Sequence, residues 1–189
     1  MTDQTILDRL DRVESTLAIQ QLPVRYAIAI DSRDIDSWLA LFVDDVDCGR
    51  RGRGREALRG FIDPAIRTFY RSIHQILGHA IDFSDADHAT GRVYCRAEHE
   101  CGAGWIVQAI CNFDTYERRD GQWYFTRREE DFWYSADLLE HPQQAEFQRW
   151  PGPAPKYRPQ MMVSRFPTWR DFWARSAAEE IQAITAKPA

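Results

Sequence analysis

Residues 72–83 read Ser-Ile-His-Gln-Ile-Leu-Gly-His-Ala-Ile-Asp-Phe, and from Ile73 onward the apolar period of the chain is two. Leu77, His79, Ile81 and Phe83 alternate with polar or small residues, which predicts a strand. After the turn at Asp85-Ala86-Asp87 the same alternation returns at Ala89, Gly91, Val93, Cys95 and Ala97. Two further strands, Trp105 to Arg118 and Gln122 to Phe132, are joined by Asp120-Gly121, a dipeptide that fits the left-handed positions of a tight hairpin. An antiparallel sheet of at least four strands is predicted.

Upstream of residue 72 the period is helical. Ile6, Leu10, Val13 and Leu17 form one stripe of a first helix. Pro23 is expected to kink or restart it, with Tyr26 and Ile30 one turn apart on the second segment and Asp31 closing it. Asp34 suits the cap of a short helix carrying Trp38, Leu39, Leu41 and Phe42. Ala57, Leu58, Phe61, Ile62, Ala65, Ile66 and Phe69 predict a third helix from Arg55 through Tyr70, in two pieces because of Pro64. Helices first and a meander of strands afterwards is the pattern of an α+β fold with helices on one face of the sheet. Residues 1–140 are expected to form that domain. Residues 141–189 form a proline-rich extension, extended over Trp150 to Pro155, and a last helix capped by Thr168, whose Trp169, Phe172, Trp173 and Ile181 suit docking on the core or on a partner chain.

A chain of 189 residues with 44% hydrophobic content can bury one core unaided. No apolar run is long enough to cross a membrane, and the polar start Met1-Thr2-Asp3-Gln4 does not resemble a leader, so a cytoplasmic protein is expected. Cys48, Cys95, Cys101 and Cys111 contain no CxxC pair and read as free, buried thiols. A net charge of −5 argues against a general nucleic-acid binder. The local run Arg50, Arg51, Arg53, Arg55 and Arg59 reads as a solvated loop, with an anion clamp as its sharper alternative. The histidines show no HxH or HxxxH spacing, so no metal and no cofactor is expected.

Elimination without a metal needs a base over an acidic C–H and a donor at the departing oxygen. A neutral imidazole is suited to the first task, provided a carboxylate holds its other nitrogen. Asp31, at the end of a helix bearing Ile28 and Ile30, and His74 are the candidate pair.

The stretches Ile19-Gln20-Gln21-Leu22, Arg25 to Asp31 and Trp38 to Phe42 resemble the opening of SnoaL-like proteins of the nuclear transport factor 2-like superfamily. Gly54 to Phe61, Ser72-Ile73-His74 with Ile81-Asp82-Phe83, and Tyr116 to Trp123 are similar to later segments of that family, so the resemblance covers roughly residues 5 to 134. It implies a cone-shaped curved sheet covered by the N-terminal helices. It also implies lyase chemistry of the scytalone dehydratase, bile acid 7α-dehydratase or hexachlorocyclohexane dehydrochlorinase kind, on a small hydrophobic or aromatic substrate. In those relatives an Asp–His pair acts, and Asp31 and His74 match it; Tyr26 matches a dehydratase tyrosine and His99 a second histidine. His99 has independent support, because it continues the inward series Val93, Cys95 and Ala97. Trp38, His79, Asn112 and Arg128 are the candidate substrate contacts, with core packing the alternative for Trp38 and a solvated hairpin face for Arg128.

Strict alternation places His74 on the face opposite His79, so a bulge is expected, at Gly78, and His79 is the fallback base. The rival readings are release of formaldehyde from an aryl propanediol, a ketosteroid-isomerase-like or cyclase proton shift, and a non-catalytic binding or assembly module. Homo-oligomers, dimer or trimer, are expected, with no nucleic-acid and no membrane partner.

Overall fold

The computed structural model describes residues 3–102, 104–139 and 165–174. In chain order the elements are α1 (Asp3–Ser32), α2 (Ile35–Ala40), α3 (Arg55–Ile66), β1 (Ser72–Phe83), β2 (His88–Cys101), β3 (Gly104–Arg119), β4 (Gln122–Asp137) and α4 (Pro167–Trp173). The strands form one antiparallel meander in the order β1-β2-β3-β4. The fold is α+β, with α1 touching both edge strands, β1 and β4, so the sheet curls round the helix. No helix among the described residues is long and apolar enough to cross a membrane.

Several boundaries differ from the sequence expectation. α1 runs unbroken through Pro23, whose ring is buried in the core, so tertiary packing outweighs the lost backbone hydrogen bond. α3 likewise continues through Pro64, but it stops at Ile66 instead of Tyr70. Asp34 does cap α2, its carboxylate accepting the Ser37 N–H at 3.0 Å. α4 begins at Pro167, so Thr168 lies inside the helix; proline suits a first helical position because its missing N–H would have no partner there. Residues 141–164 and Ile181 lie outside the described residues, as do the side chains of Trp169 and Trp173.

Asp120 and Gly121 both have positive φ, 51° and 77°, which closes the β3–β4 hairpin as their sequence predicts. Three irregularities then set which side chains face α1. The register of β1 on β2 shifts between Ile76 and Gly78, so Leu77 is the extra residue and is 67% exposed. The expected bulge exists one residue before Gly78, and its effect is to put His74, Ile76, His79, Ile81 and Phe83 on one face, without Leu77. In β4, shifts opposite Thr115/Tyr116 and Ala109/Ile110 likewise bring Phe125, Arg128, Glu130 and Phe132 onto the same side.

The main core joins the helices to one end of this face through Ile19, Leu22, Ile30, Trp38, Phe42 and Phe125. A second, smaller cluster, Cys95, Ala97 and Ile110 with Ile76 and Phe132, lines the other end. On the outer face Arg165 pairs with Asp131 and with Glu129, and Phe166 stacks on Trp133 at 5.8 Å.

Candidate active site

Asp31 sits in the last turn of α1, and the way that helix ends fixes its position. Arg33 adopts φ 63°, its N–H bonds Ile30 O at 3.1 Å, and Asp34 N–H reaches back to Ala29 O at 2.9 Å. That is a Schellman ending with arginine in the place where glycine is usual. The Arg33 guanidinium then clasps the segment leading into β1, bonding Tyr70 O at 3.1 Å and Ser72 Oγ at 3.2 Å while also holding Ile30 O at 2.7 Å. The helix end and the first residues of β1 are thereby joined.

Across that junction Asp31 Oδ1 meets His74 Nδ1 at 2.7 Å, and Asp31 Oδ2 accepts the His74 backbone N–H at 2.8 Å. Ser72 Oγ donates to Oδ1 at 2.7 Å. Burial alone would raise the Asp31 pKa, but the hydrogen bonds from His74 and Ser72 outweigh it and hold the carboxyl below its ordinary range. An ionised carboxylate can only accept, so Nδ1 carries the proton and the neutral ring keeps its lone pair on Nε2. The two side chains are 25% and 13% exposed.

His99 packs its ring edge-on to His74 at 5.4 Å and to Phe69 at 4.7 Å. It is fully buried, and desolvation together with the neighbouring His74 pushes its pKa down to about 3. It is therefore a neutral imidazole at physiological pH. Tyr26 lies among Trp38, Phe42 and Phe125, with the Arg128 guanidinium 4.4 Å from its ring centroid. Burial raises its phenol pKa well above the ordinary value. Trp38 is 2% exposed and packs on Phe42 at 4.8 Å, so it belongs to the core.

Arg128 is not on a solvated hairpin face. Its side chain is 5% exposed and makes a two-pronged pair with fully buried Asp114, Nε to Oδ1 at 2.8 Å and Nη2 to Oδ2 at 2.7 Å. Tyr116 Oη donates to the same carboxylate at 2.8 Å. Having used its proton there, Tyr116 must accept from His79 Nε2, 3.0 Å away. His79, whose pKa burial lowers, thus carries its proton on Nε2, and Nδ1 has no partner among the described residues. Gly91 makes this meeting possible, since a Cβ there would lie 2.8 Å from His79 Nε2 and 2.9 Å from the Tyr116 ring.

Asn112 is buried on the inner face, in register with Glu130. Glu130 keeps water-accessible surface, yet the surrounding protein raises its carboxyl pKa, desolvation first, while Arg128 and then His74 draw it down. Sequence reasoning missed Glu130 together with Arg33, Ser72, Asp114 and Tyr116; the parity of Asn112, Asp114 and Tyr116 along β3 was the available signal. Two concavities lie elsewhere, one by Arg33, Ile66 and Phe69 and the other by Gly78, His79, Tyr94 and Phe166; neither is lined by His74. The chemistry-bearing side chains converge on the inner face, which makes that face the stronger candidate. Cys95 on this face has its thiol pushed up to about 12, mainly by burial, so it serves as an apolar wall.

The arginine run is absorbed locally. Arg53 pairs with Asp45, Arg55 bonds Phe42 O, Arg59 pairs with Asp36, and Arg51 lies over the Phe61 ring. All four cysteines are free, Cys48 half-buried and the other three buried. Among the described residues no three His, Cys, Asp or Glu side chains gather as metal ligands would.

Residues 11–129 match the family model described as SnoaL-like domain. The chain belongs to the SnoaL-like family. Gamma-hexachlorocyclohexane dehydrochlorinase of Sphingobium indicum is 30% identical over 126 residues, 63% of this chain and 81% of that enzyme. The crystal structure of LinA superposes with a TM-score of 0.63 at 29% identity, covering 70% of this chain and 95% of that one. A putative scytalone dehydratase from Novosphingobium aromaticivorans gives a TM-score of 0.59 at 26% identity over 70% and 93% of the two chains. The dehydrochlorinases and the putative scytalone dehydratase are named for eliminations, whereas another similar structure, from Novosphingobium aromaticivorans at 26% identity and a TM-score of 0.59, is named a putative aromatic ring hydroxylase.

Proposed function

We propose that this chain is a lyase that eliminates water or halide from a small hydrophobic, hydroxylated or halogenated molecule by acid–base chemistry of its own side chains. The 2.7 Å bond between Asp31 and His74 Nδ1 carries the reading. It leaves the Nε2 lone pair free to take a proton from a C–H next to the carbon bearing the leaving group; the C–H electrons form the double bond, and the leaving group departs with its own pair. Asp31 stabilises the resulting imidazolium, in the manner of the carboxylate of a hydrolase triad. His79 is the poorer base, because no carboxylate among the described residues bonds its ring and burial lowers its pKa.

A departing halide needs no proton, whereas a departing hydroxyl does. Neutral His99 and the buried phenol of Tyr26 are weak acids, so the acid role falls to Glu130, whose protonated form burial favours. The apolar wall of Ile76, Ile110 and Phe132 suits a hydrocarbon ring. Four free thiols suit a reducing compartment, and we place the reaction in the cytoplasm.

The test is a panel of chlorinated cyclohexanes and hydroxylated aromatic, steroid and polyketide compounds, with product identification by mass spectrometry. Elimination products are expected from wild type, and His74→Ala is expected to lose on the order of a hundredfold to ten-thousandfold in kcat. Glu130→Gln is expected to slow loss of water and spare loss of halide. Released formaldehyde, or an isomer of unchanged mass, would move the assignment to the retro-aldol or proton-shift branch of the same dyad. Ligand retained without product would make the hollow a carrier site.

A further inference from the structure

Ser72 stands two residues before His74 on β1, on the same face of the strand, and it is buried. Its hydroxyl touches two groups of opposite character: the Arg33 guanidinium, with Nη1 at 3.2 Å, and the Asp31 carboxylate, with Oδ1 at 2.7 Å. A guanidinium has only protons to offer, and an ionised carboxylate only lone pairs. The hydroxyl must therefore accept from Arg33 and donate to Asp31, so its proton has one direction. Asp31 Oδ1 receives that proton together with the His74 Nδ1–H, while Oδ2 takes the His74 backbone N–H. Three donors hold the carboxylate, and one of them is independent of His74.

Arg33 is an unusual residue for its own backbone. A φ of 63° favours glycine, and a side chain is kept there at a cost. In return the guanidinium meets Ile30 O at 2.7 Å, Tyr70 O at 3.1 Å and Phe69 O at 3.4 Å besides Ser72. The carbonyl bonds tie the helix end to the strand; the bond to Ser72 is the one that leads to the dyad. We propose that Arg33 and Ser72 are positioning residues, a relay in which the guanidinium fixes the direction of the Ser72 proton and that proton fixes the carboxylate holding His74. This assignment rests on Asp31 and His74 being the acid–base pair. Against desolvation, which raises it, the bond from His74 and then the bond from Ser72 hold the Asp31 pKa down, so the relay also keeps the carboxylate ionised. Around Asp31 stand His74 on β1, His99 and Cys95 on β2 and Arg33 just past the end of α1, and Glu130 on β4 couples to His74. The guanidinium among them keeps its charge at any working pH, so its hold on Ser72 does not lapse as the others titrate.

Ser72→Ala, Ser72→Thr, Arg33→Ala and Arg33→Gly in the full chain test the relay. Carbon-13 NMR of the Asp31 carboxyl reads it without any substrate. The titration midpoint is expected to move up in Ser72→Ala and in Arg33→Gly, and to return toward wild type in Ser72→Thr, which keeps a hydroxyl and suits a strand. On whichever substrate the wild type turns over, Ser72→Ala should lose roughly tenfold to a hundredfold in kcat with KM changed less than about twofold, as for groups that orient an active side chain from behind. Arg33→Gly should unfold at higher urea than Arg33→Ala, because glycine accepts φ 63° freely, yet lose as much activity, because neither variant has a guanidinium. An Asp31 titration indifferent to Ser72→Ala, a Ser72→Thr variant that restores nothing, or wild-type kcat in Arg33→Gly would each overturn the relay. A wild type without elimination activity would overturn the function and not the relay, which the carboxyl titration decides by itself.

Discussion

Replacing Asp114 with leucine removes the one carboxylate bonded to the Arg128 guanidinium among the described residues, while leaving that guanidinium in a site where its side chain is 5% exposed. Two charge-assisted hydrogen bonds vanish, and an unpaired buried charge remains, a change that costs about 3–5 kcal/mol. Tyr116 loses its acceptor as well, adding about 1 kcal/mol. A total of about 4–6 kcal/mol is a large part of the stability of a typical domain. Urea titration followed by tryptophan fluorescence reads this as a lower midpoint at unchanged slope. The companion Asp114→Leu/Arg128→Met removes both charges and should recover most of the loss, because two apolar side chains of similar size can replace a buried pair at little cost. A single variant that loses less than about 1 kcal/mol, or a double variant whose loss is the sum of the two single losses, would refute the reasoning.

Gly91→Ala should destabilise by about 1–3 kcal/mol in the same titration, since its methyl would collide with His79 and Tyr116. Acid sensitivity should report His99, whose ordinary value of 6.5 falls to about 3 on burial. Between these values the unfolded chain holds the extra proton, so stability falls by about 1.4 kcal/mol per pH unit as the solution is acidified, and His99→Phe should flatten that slope in urea titrations from pH 7 to 4. From the ordinary aspartate value of 3.8 downward Asp31 acts in the same direction, because its depressed carboxyl pKa makes its contribution fully present above that value and lost as pH falls through the folded one. Arg33→Ala should loosen the α1–β1 junction, lowering activity on any substrate the enzyme turns over while raising amide exchange at His74.

The sheet was readable from its alternation and the hairpin from Asp120-Gly121, because both are local signals. The bulge was readable by parity, since His74 and His79 could not otherwise share a face; its exact residue was not, because Leu77 and Gly78 fit a bulge about equally from sequence. Leu77 was misassigned for the same reason. Pro23 and Pro64 were read as breaks because single-residue preferences carry no knowledge of the core that holds each ring. The Asp31–His74 contact spans 43 positions, and it was the family resemblance, more than local pattern, that brought the two together. Arg33 was invisible because nothing in a lone arginine announces a positive φ. Arg128 looks like a solvated hairpin face, and nothing local marks Asp114 and Tyr116 as its partners, since alternation separates two faces without telling solvent from an enclosed polar network. Glu130 escaped for that reason too.

The proposed mechanism needs Asp31 to hold the proton of His74 on Nδ1, so that Nε2 keeps a lone pair. Long-range nitrogen–proton NMR of the imidazole rings, at a pH where His74 is neutral, reads that tautomer without needing a substrate. A wild-type His74 protonated on Nδ1, converting to a mixture with the Nε2-protonated form in Asp31→Asn, is the expected result. A His74 protonated on Nε2 in the wild type, or a ring that does not respond to the loss of the Asp31 charge, would contradict it.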